Sequence, residues 1–306
     1  MLATFDSLFG LMDAFPDEQS CIDHLRQIRW RDGEFCPHCN SGRVYHFSDG
    51  KTFKCGECRE RFSVKVGTIF EDTKLPLRKW FMAIWLITNH PKGIASTTLA
   101  KDLKVTQKTA WFVLHRLRHA ARTRSFNKPP LKGVVEVDET FVGGKAKNRH
   151  ADKRDGMPGP TASGKTIVAG AVERDGDVVA RVVDNVRSET LTEFVREAVS
   201  PQAHAVVTDQ WIGYRNLGKE YPHAVINHAQ KEYVRDDVHT QTIESVWALL
   251  KRQIIGIHHW ISPKHLDRYV GEMSWRFNRR DMRTIDRMND LFACVEGRLT
   301  YKALIS

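Results

Sequence analysis

Val134-Val135-Glu136-Val137-Asp138 and Ala205-Val206-Val207-Thr208-Asp209 are two β-branched runs, each closed by an aspartate. Such runs read as strands buried in a sheet. Two more β-branched runs lie between them, Thr166 to Val172 and Val178 to Val183, followed by a helical segment from Glu189 to Val199. A short strand at Ala224 to Ile226 and long helices at Thr242 to Ile255 and Pro263 to Phe277 complete this half. Three strands, then helix, strand, short helix, strand and helix is an α/β layer pattern. Aspartates at the C-terminal ends of two neighbouring parallel strands would share one edge of the sheet, where such folds place their sites.

Glu244 follows Asp209 by 35 positions, near the start of the helix from Thr242. A helix packed across that edge would bring it to the pair. Three carboxylates in one pocket repel one another and bind divalent cations. Two Mg²⁺ or Mn²⁺ ions about 4 Å apart would activate a water or hydroxyl and stabilise the leaving oxygen of a phosphoryl transfer. Lys251 comes seven residues after Glu244, on the same helical face two turns on, where it would hold DNA near the metals. Taken singly, each acid is an ordinary turn or cap residue; their joint order and spacing carry the reading. Glu136, on the face of Asp138, and Glu139, on the other face if the strand continues, are the competing acids, with Asp236 and Asp237 behind them.

The chain has 306 residues, 47 Lys plus Arg against 37 Asp plus Glu, and a net charge of +10. That surplus favours a polyanionic partner such as nucleic acid. Hydrophobic residues at 41% and charged residues at 27% exclude a disordered chain. The longest apolar stretch, Trp80 to Ile87, is too short for a membrane span. Met1 to Phe15 lacks a basic start and carries Asp6 and Asp13, so no signal peptide is expected, nor any membrane partner; the expected location is the bacterial cytoplasm, at the nucleoid.

Cys36-Pro37-His38-Cys39 and Cys55-Gly56-Glu57-Cys58 are separated by fifteen residues. Each pair sits on a tight turn that aims two thiolates at one point, and two such turns make a closed tetrahedral zinc site. A closed site is structural, and His38 is not needed as a ligand. Arg43, Lys51, Lys54, Arg59, Arg61 and Lys65 surround it and are candidates for phosphate contact. Cys21 and Cys294 read as buried thiols.

Residues 76 to 124 read as helical. Ser96 is expected to cap one helix and Thr106 the next, with Lys104-Val105 as the turn. Gln107, Lys108, Thr109, His115, Arg116 and Arg118 are expected on or near the exposed side of the second helix, as in a helix-turn-helix whose second helix enters a major groove. Gly159 to Thr166 matches the phosphate-loop pattern letter for letter, but the apolar, β-branched run after it predicts a strand where a phosphate loop needs a helix.

Several motifs now join. The four cysteines lead into Val66-Gly67-Thr68-Ile69-Phe70, then Lys92-Gly93-Ile94 and Lys108-Thr109-Ala110-Trp111. Val135 to Gly144, Thr208-Asp209, His239-Thr240 through Glu244, Trp247 and Leu250-Lys251-Arg252 follow, then Lys264-His265-Leu266 and Arg276-Phe277-Asn278-Arg279-Arg280. Over nearly its whole length the chain resembles the transposases of IS1595-type (ISXO2-like) insertion sequences. The resemblance implies a multidomain α+β/α/β protein: N-terminal helices at 1–31, a zinc ribbon at 32–72, a helix-turn-helix-like region at 73–128 and an RNase H-like mixed-sheet domain at 131–306. It places the acidic triad on Asp138, Asp209 and Glu244, and Lys251 on the basic residue of the variant written DDE-K. The family usually has Asn after His-Thr; this chain has Gln241. The implied partners are double-stranded DNA, as terminal inverted repeats and target, and further copies of the chain as a dimer or higher assembly. Gln107, Lys108, Thr109, Arg116, Lys251 and Arg252 are the candidate DNA contacts, Zn²⁺ the structural metal, and Mg²⁺ or Mn²⁺ the catalytic one. The alternatives are a metal-dependent nuclease without strand transfer and a non-enzymatic DNA-binding protein.

Overall fold

A computed structural model of the chain describes residues 4–125, 130–144, 164–226, 234–235 and 238–306. Contacts divide it into two compact units, Met1–Thr123 with Asp281–Ser306, and Arg124–Arg280. Among the described residues no helix is long and apolar enough to cross a membrane.

The first unit opens with α1 (Leu8–Ala14), capped by the Ser7 hydroxyl, and α2 (Glu18–Arg29), started by a reciprocal Asp17–Ser20 capping box. The zinc-ribbon sheet follows: β1 (Val44–His46), β2 (Phe53–Cys55) and β3 (Arg61–Phe62), antiparallel in that order. Then come α3 (Leu77–Asn89), α4 (Ser96–Leu103) and α5 (Gln107–Ser125). Phe15, His24 and Phe81 form the aromatic centre. That cluster is completed from the far end of the chain. In α9 (Thr284–Phe292), Phe292 meets the Phe81 ring at 4.5 Å and Asn289 bonds His24 at 3.0 Å. The backbone then joins Ile69 N–H to Val295 O at 2.8 Å, and Arg29 binds Glu296. By contacts, residues 281–306 thus group with the N-terminal unit. The apolar face of α9, with Met288, Leu291 and Phe292 buried, finds its partners among the N-terminal helices. The divisions at 1–31, 32–72 and 73–128 likewise fall within one compact unit.

The second unit is built on a five-stranded mixed sheet. β4 (Val134–Val142) pairs antiparallel with β5 (Thr166–Glu173), and β5 with β6 (Val178–Val183). On its other side β4 pairs parallel with β7 (Ala205–Asp209), and β7 parallel with β8 (His223–Ile226). The order is β6-β5-β4-β7-β8. α6 (Ser188–Ala198) covers one face through Leu191, Phe194 and Val195 against Val135, Val137 and Val206. α7 (Gln241–Gln253) and α8 (Pro263–Phe277) cover the other through Ile243, Trp247, Leu250 and Met273 against Val168, Val172 and Ala180. Two two-residue strands, β9 (Val234–Arg235) and β10 (Val238–His239), pair just before α7.

β4 does not stop at Asp138. Thr140, Phe141 and Val142 continue its pairing with Val168, Ile167 and Thr166, so Asp138 lies within a nine-residue strand. Residues 159–163 of the phosphate-loop match, and the competing Asp236 and Asp237, lie outside the described residues. Gly164-Lys165 leads directly into β5, a strand, where a phosphate loop requires a helix.

Candidate active site and metal centre

The register of the parallel pair sets the site. Val134 faces Ala205, Val135 faces Val206 and Glu136 faces Val207. Two more residues along each strand bring Asp138 level with Asp209. The two-residue period of a strand puts both on the face that α7 covers.

α7 is fastened to that face by Glu136, which is fully buried. One carboxylate oxygen accepts the N–H groups of Thr242 at 2.8 Å and Ile243 at 3.0 Å. The other accepts the Thr242 hydroxyl at 3.0 Å and Arg174 Nε at 2.8 Å. A buried anion against a helix's free N–H groups satisfies them and complements the helix dipole. Both oxygens of Glu136 are thus engaged in pinning the first turn of α7, two residues before Asp138. Within α7, Trp247 donates its indole N–H to Asp138 Oδ2 at 2.9 Å. Glu244, three residues earlier, shares that side of the helix. The indole lies over β5 at Gly170, the partner of Asp138; a Cβ there would run into the Trp247 ring, meeting Cζ2 at 2.7 Å. Sequence reasoning missed Glu136 as a cap and Gly170 altogether, and it quoted Trp247 only as a motif position, without its contact to Asp138. The available signals were a lone glycine inside a β-branched run and a Trp three positions after the acid.

Charge crowding follows from this packing. Burial pushes Asp138 up to about 6; the Trp247 bond opposes that, and the charges of Asp209 and Glu244 add to it. Asp209 Oδ1 accepts the Trp211 N–H at 2.9 Å. Glu244 is exposed, and its Oε1 accepts the Thr240 hydroxyl at 3.3 Å. Glu139 points to the opposite face, where the Tyr214 hydroxyl donates to it at 2.7 Å. Among the described residues, only the cysteines gather three or more ligand atoms within 4.8 Å of one another. Asp209 and Glu244 lie near enough for their charges to act on Asp138, and carboxylate oxygens are donors that suit hard divalent cations. Lys251 and Arg252 are exposed in the last turn of α7.

Cys36, Cys39, Cys55 and Cys58 bring four sulfurs within 4.8 Å of one another. Cys36 and Cys58 are 3.6 Å apart and Cys39 and Cys55 3.5 Å, too long for disulfides. Asn40 and Arg59, each just after the second cysteine of its pair, have φ of 60° and 62°. These left-handed residues close two equivalent turns. The N–H groups of His38 and Glu57 donate to Cys36 and Cys55 sulfurs at 3.4 and 3.3 Å. Four converging sulfurs with N–H donors behind them fit a structural Zn²⁺.

The helix pair forms as read, with changes at its caps and on its second helix. Ala95, not Ser96, precedes α4, and the Ser96 hydroxyl accepts from the Gln107 amide at 2.9 Å. Lys104 turns the chain with φ of 48°, and Thr106 Oγ1 accepts the Thr109 N–H. Gln107, Lys108 and Thr109 are exposed; the Lys108 amine lies 4.9 Å from the Tyr301 ring centre. Arg116 is a correction. It is buried, and its guanidinium donates to the carbonyls of Ile69, Glu71 and Leu299. His115 and Arg118 are buried too. Val113 to Arg118 are buried because this middle stretch of α5 runs through the core of its unit, whereas Gln107 to Thr109 and Arg122 are exposed.

Residues 16–61 match the transposase zinc-ribbon domain family, and residues 130–278 match the ISXO2-like transposase domain family. The chain is 29% identical over 268 residues to an uncharacterized protein in transposable element ISH50 of Halobacterium salinarum, covering 84% of this chain and 89% of that one. It is 32% identical over 104 residues to an uncharacterized transposase-like protein of Haemophilus influenzae, covering 34% of this chain and 82% of that one.

Proposed function

The chain belongs to the ISXO2-like transposases of IS1595-type insertion sequences, and we propose that it cuts and joins DNA strands with Asp138, Asp209 and Glu244. The observation that supports this most is the shared register of Asp138 and Asp209, with α7 pinned across them by Glu136 and Trp247. The strand order β6-β5-β4-β7-β8, three antiparallel strands and then two parallel ones, suits an RNase H-like reading.

Asp138, Asp209 and Glu244 would hold Mg²⁺ or Mn²⁺, two ions in all, which activate the attacking oxygen and stabilise the leaving one. The protein's own part is positioning. Trp247 fixes one oxygen of Asp138, the Trp211 N–H fixes one oxygen of Asp209, and Glu136 fixes the helix that carries Glu244. Lys251 and Arg252 extend a cationic end of α7 toward a phosphate backbone. Water attacking in line at phosphorus breaks the P–O3′ bond at the element end, freeing a 3′-OH and leaving a 5′-phosphate on the other side of the cut; that hydroxyl then attacks a phosphate of target DNA, forming a new phosphodiester and expelling the target strand's own 3′-OH. Neither step needs a covalent enzyme intermediate.

The ribbon at 32–72, held by Zn²⁺ on its four cysteines, and the helical region at 73–128, through Gln107, Lys108 and Thr109, are assigned to the terminal inverted repeats. Pairing two ends calls for a dimer or a higher assembly. The test is cleavage and joining of a labelled element end with Mg²⁺, beside Asp209→Ala. Cleavage and joined product from the wild type alone support the reading. Cleavage without joining reduces it to a nuclease, and equal behaviour of the variant leaves a DNA-binding protein.

A further inference from the structure

The zinc ribbon presents a second organised surface. Its register pairs Tyr45 with Lys54 and His46 with Phe53, then Phe53 with Phe62 and Lys54 with Arg61. Alternation along each strand sorts these residues onto two faces. His46, Phe53 and Phe62 lie on one, where Trp30 packs edge-on against Phe53 and Phe62 at 5.0 and 6.3 Å. Tyr45, Lys54 and Arg61 make a row across the other. Arg43 and Phe47 flank Tyr45 two residues to either side and share that face.

Arg43, Tyr45, Phe47 and Arg61 of this row are exposed, Lys54 is half-buried, and the row is internally held. Tyr45 is 51% exposed and Phe47 37%. Arg43 lies over the Tyr45 ring at 5.9 Å and donates to its hydroxyl at 3.1 Å; Arg61 lies over the Phe47 ring at 5.0 Å. Gly56 makes room for Arg43, since a Cβ there would meet its Cγ and Cδ at 2.7 Å. The acid in contact, Glu57, reaches Arg43 at 3.4 Å in an exposed pair, which binds weakly.

A ring with a guanidinium on one side keeps its other side for a second flat partner. Bases in a duplex already cover each other's faces, whereas unpaired bases offer them to aromatic side chains. Three cations in the same row suit the phosphates of that strand. We propose that this face of the ribbon binds single-stranded DNA, with Tyr45 and Phe47 stacking on unpaired bases and Arg43, Lys54 and Arg61 holding the backbone. The inference rests on the strand-cutting reading, because a strand end released by a cut can separate from its complement and offer unpaired bases.

The test uses the full chain, with zinc content and melting measured on every variant. Binding of a short labelled single strand and of the matching duplex is followed by anisotropy. Tyr45→Ala and Phe47→Ala should each weaken single-strand binding by roughly 5- to 150-fold, with a clearly smaller loss on duplex. Tyr45→Phe, which keeps the ring, should retain most of the affinity. Arg61→Gln should reduce the salt slope by about 0.7 on the single strand. Single-strand affinity unaltered by the alanine variants overturns the proposal, as does an equal loss on duplex. Wild-type protein that binds duplex ends but no single strand overturns this surface alone; wild-type protein that binds neither overturns the DNA-binding reading with it.

Discussion

Glu139 sits one position past Asp138, on the other face of β4. Burial pushes its carboxyl up to about 7; the Tyr214 bond opposes this, and the charges of Asp138 and Asp209 add to it. A carboxyl raised this way holds its proton in the folded chain at a pH where the unfolded chain has released it. The stability it adds is complete below its ordinary value of 4.5 and is lost as pH rises through about 7. Glu139→Gln should therefore shrink the loss of stability between pH 5 and pH 8 by on the order of 2 kcal/mol, read from denaturant melts at the two pH values. A variant whose melts shift as the wild type's do would remove Glu139 from this account. Gly170 is the other decisive single position. Gly170→Ala puts a methyl into the Trp247 ring and should destabilise the protein by about 1–3 kcal/mol, with loss of the indole's grip on Asp138. An unchanged melting temperature would mean that Trp247 has room to move.

The helix α7 depends on a residue that lies more than a hundred positions before it. Glu136 bonds two of its first N–H groups and the Thr242 hydroxyl. Glu136→Ala removes that cap and leaves Arg174 without its buried partner, so a loss of about 3–5 kcal/mol is expected in thermal or denaturant unfolding. In the ribbon, Cys39→Ser should drop the zinc content below one ion per chain and collapse its sheet, measured by metal analysis and proteolysis. Most elements could be read from sequence because their signals are local. β-branched runs marked β5, β6 and β7, apolar spacing marked α3 and α7, and the paired CxxC turns marked the ribbon. What could not be read is long-range. Nothing near Glu136 says that it will meet Thr242, and nothing in the sequence of α5 says that Arg116 will find the carbonyls of Ile69 and Leu299. A basic side chain on a polar-looking helix face reads as a DNA contact until burial assigns it to the interior.

At the scale of the whole chain, the last 26 residues, 281–306, return to the N-terminal unit. The resemblance implies a continuous domain at 131–306, and chain order does not reveal that Phe292 completes the Phe15–His24–Phe81 cluster. Ending the chain at Arg280 should leave that unit short of its core and open to limited proteolysis, while Phe292→Ala in the full chain should cost about 3–5 kcal/mol. Resistance of the shortened protein equal to the wild type would contradict the assignment. Above this scale stands the claim that Asp138, Asp209 and Glu244 act together on DNA. The direct measurement is Mg²⁺-dependent cleavage and joining of a labelled element end by the full chain, beside Glu244→Gln, with binding of the same end followed in parallel. The expected result is a loss of both products by roughly 10³-fold with end binding retained. Cleavage and joining by Glu244→Gln at the wild-type rate would contradict it.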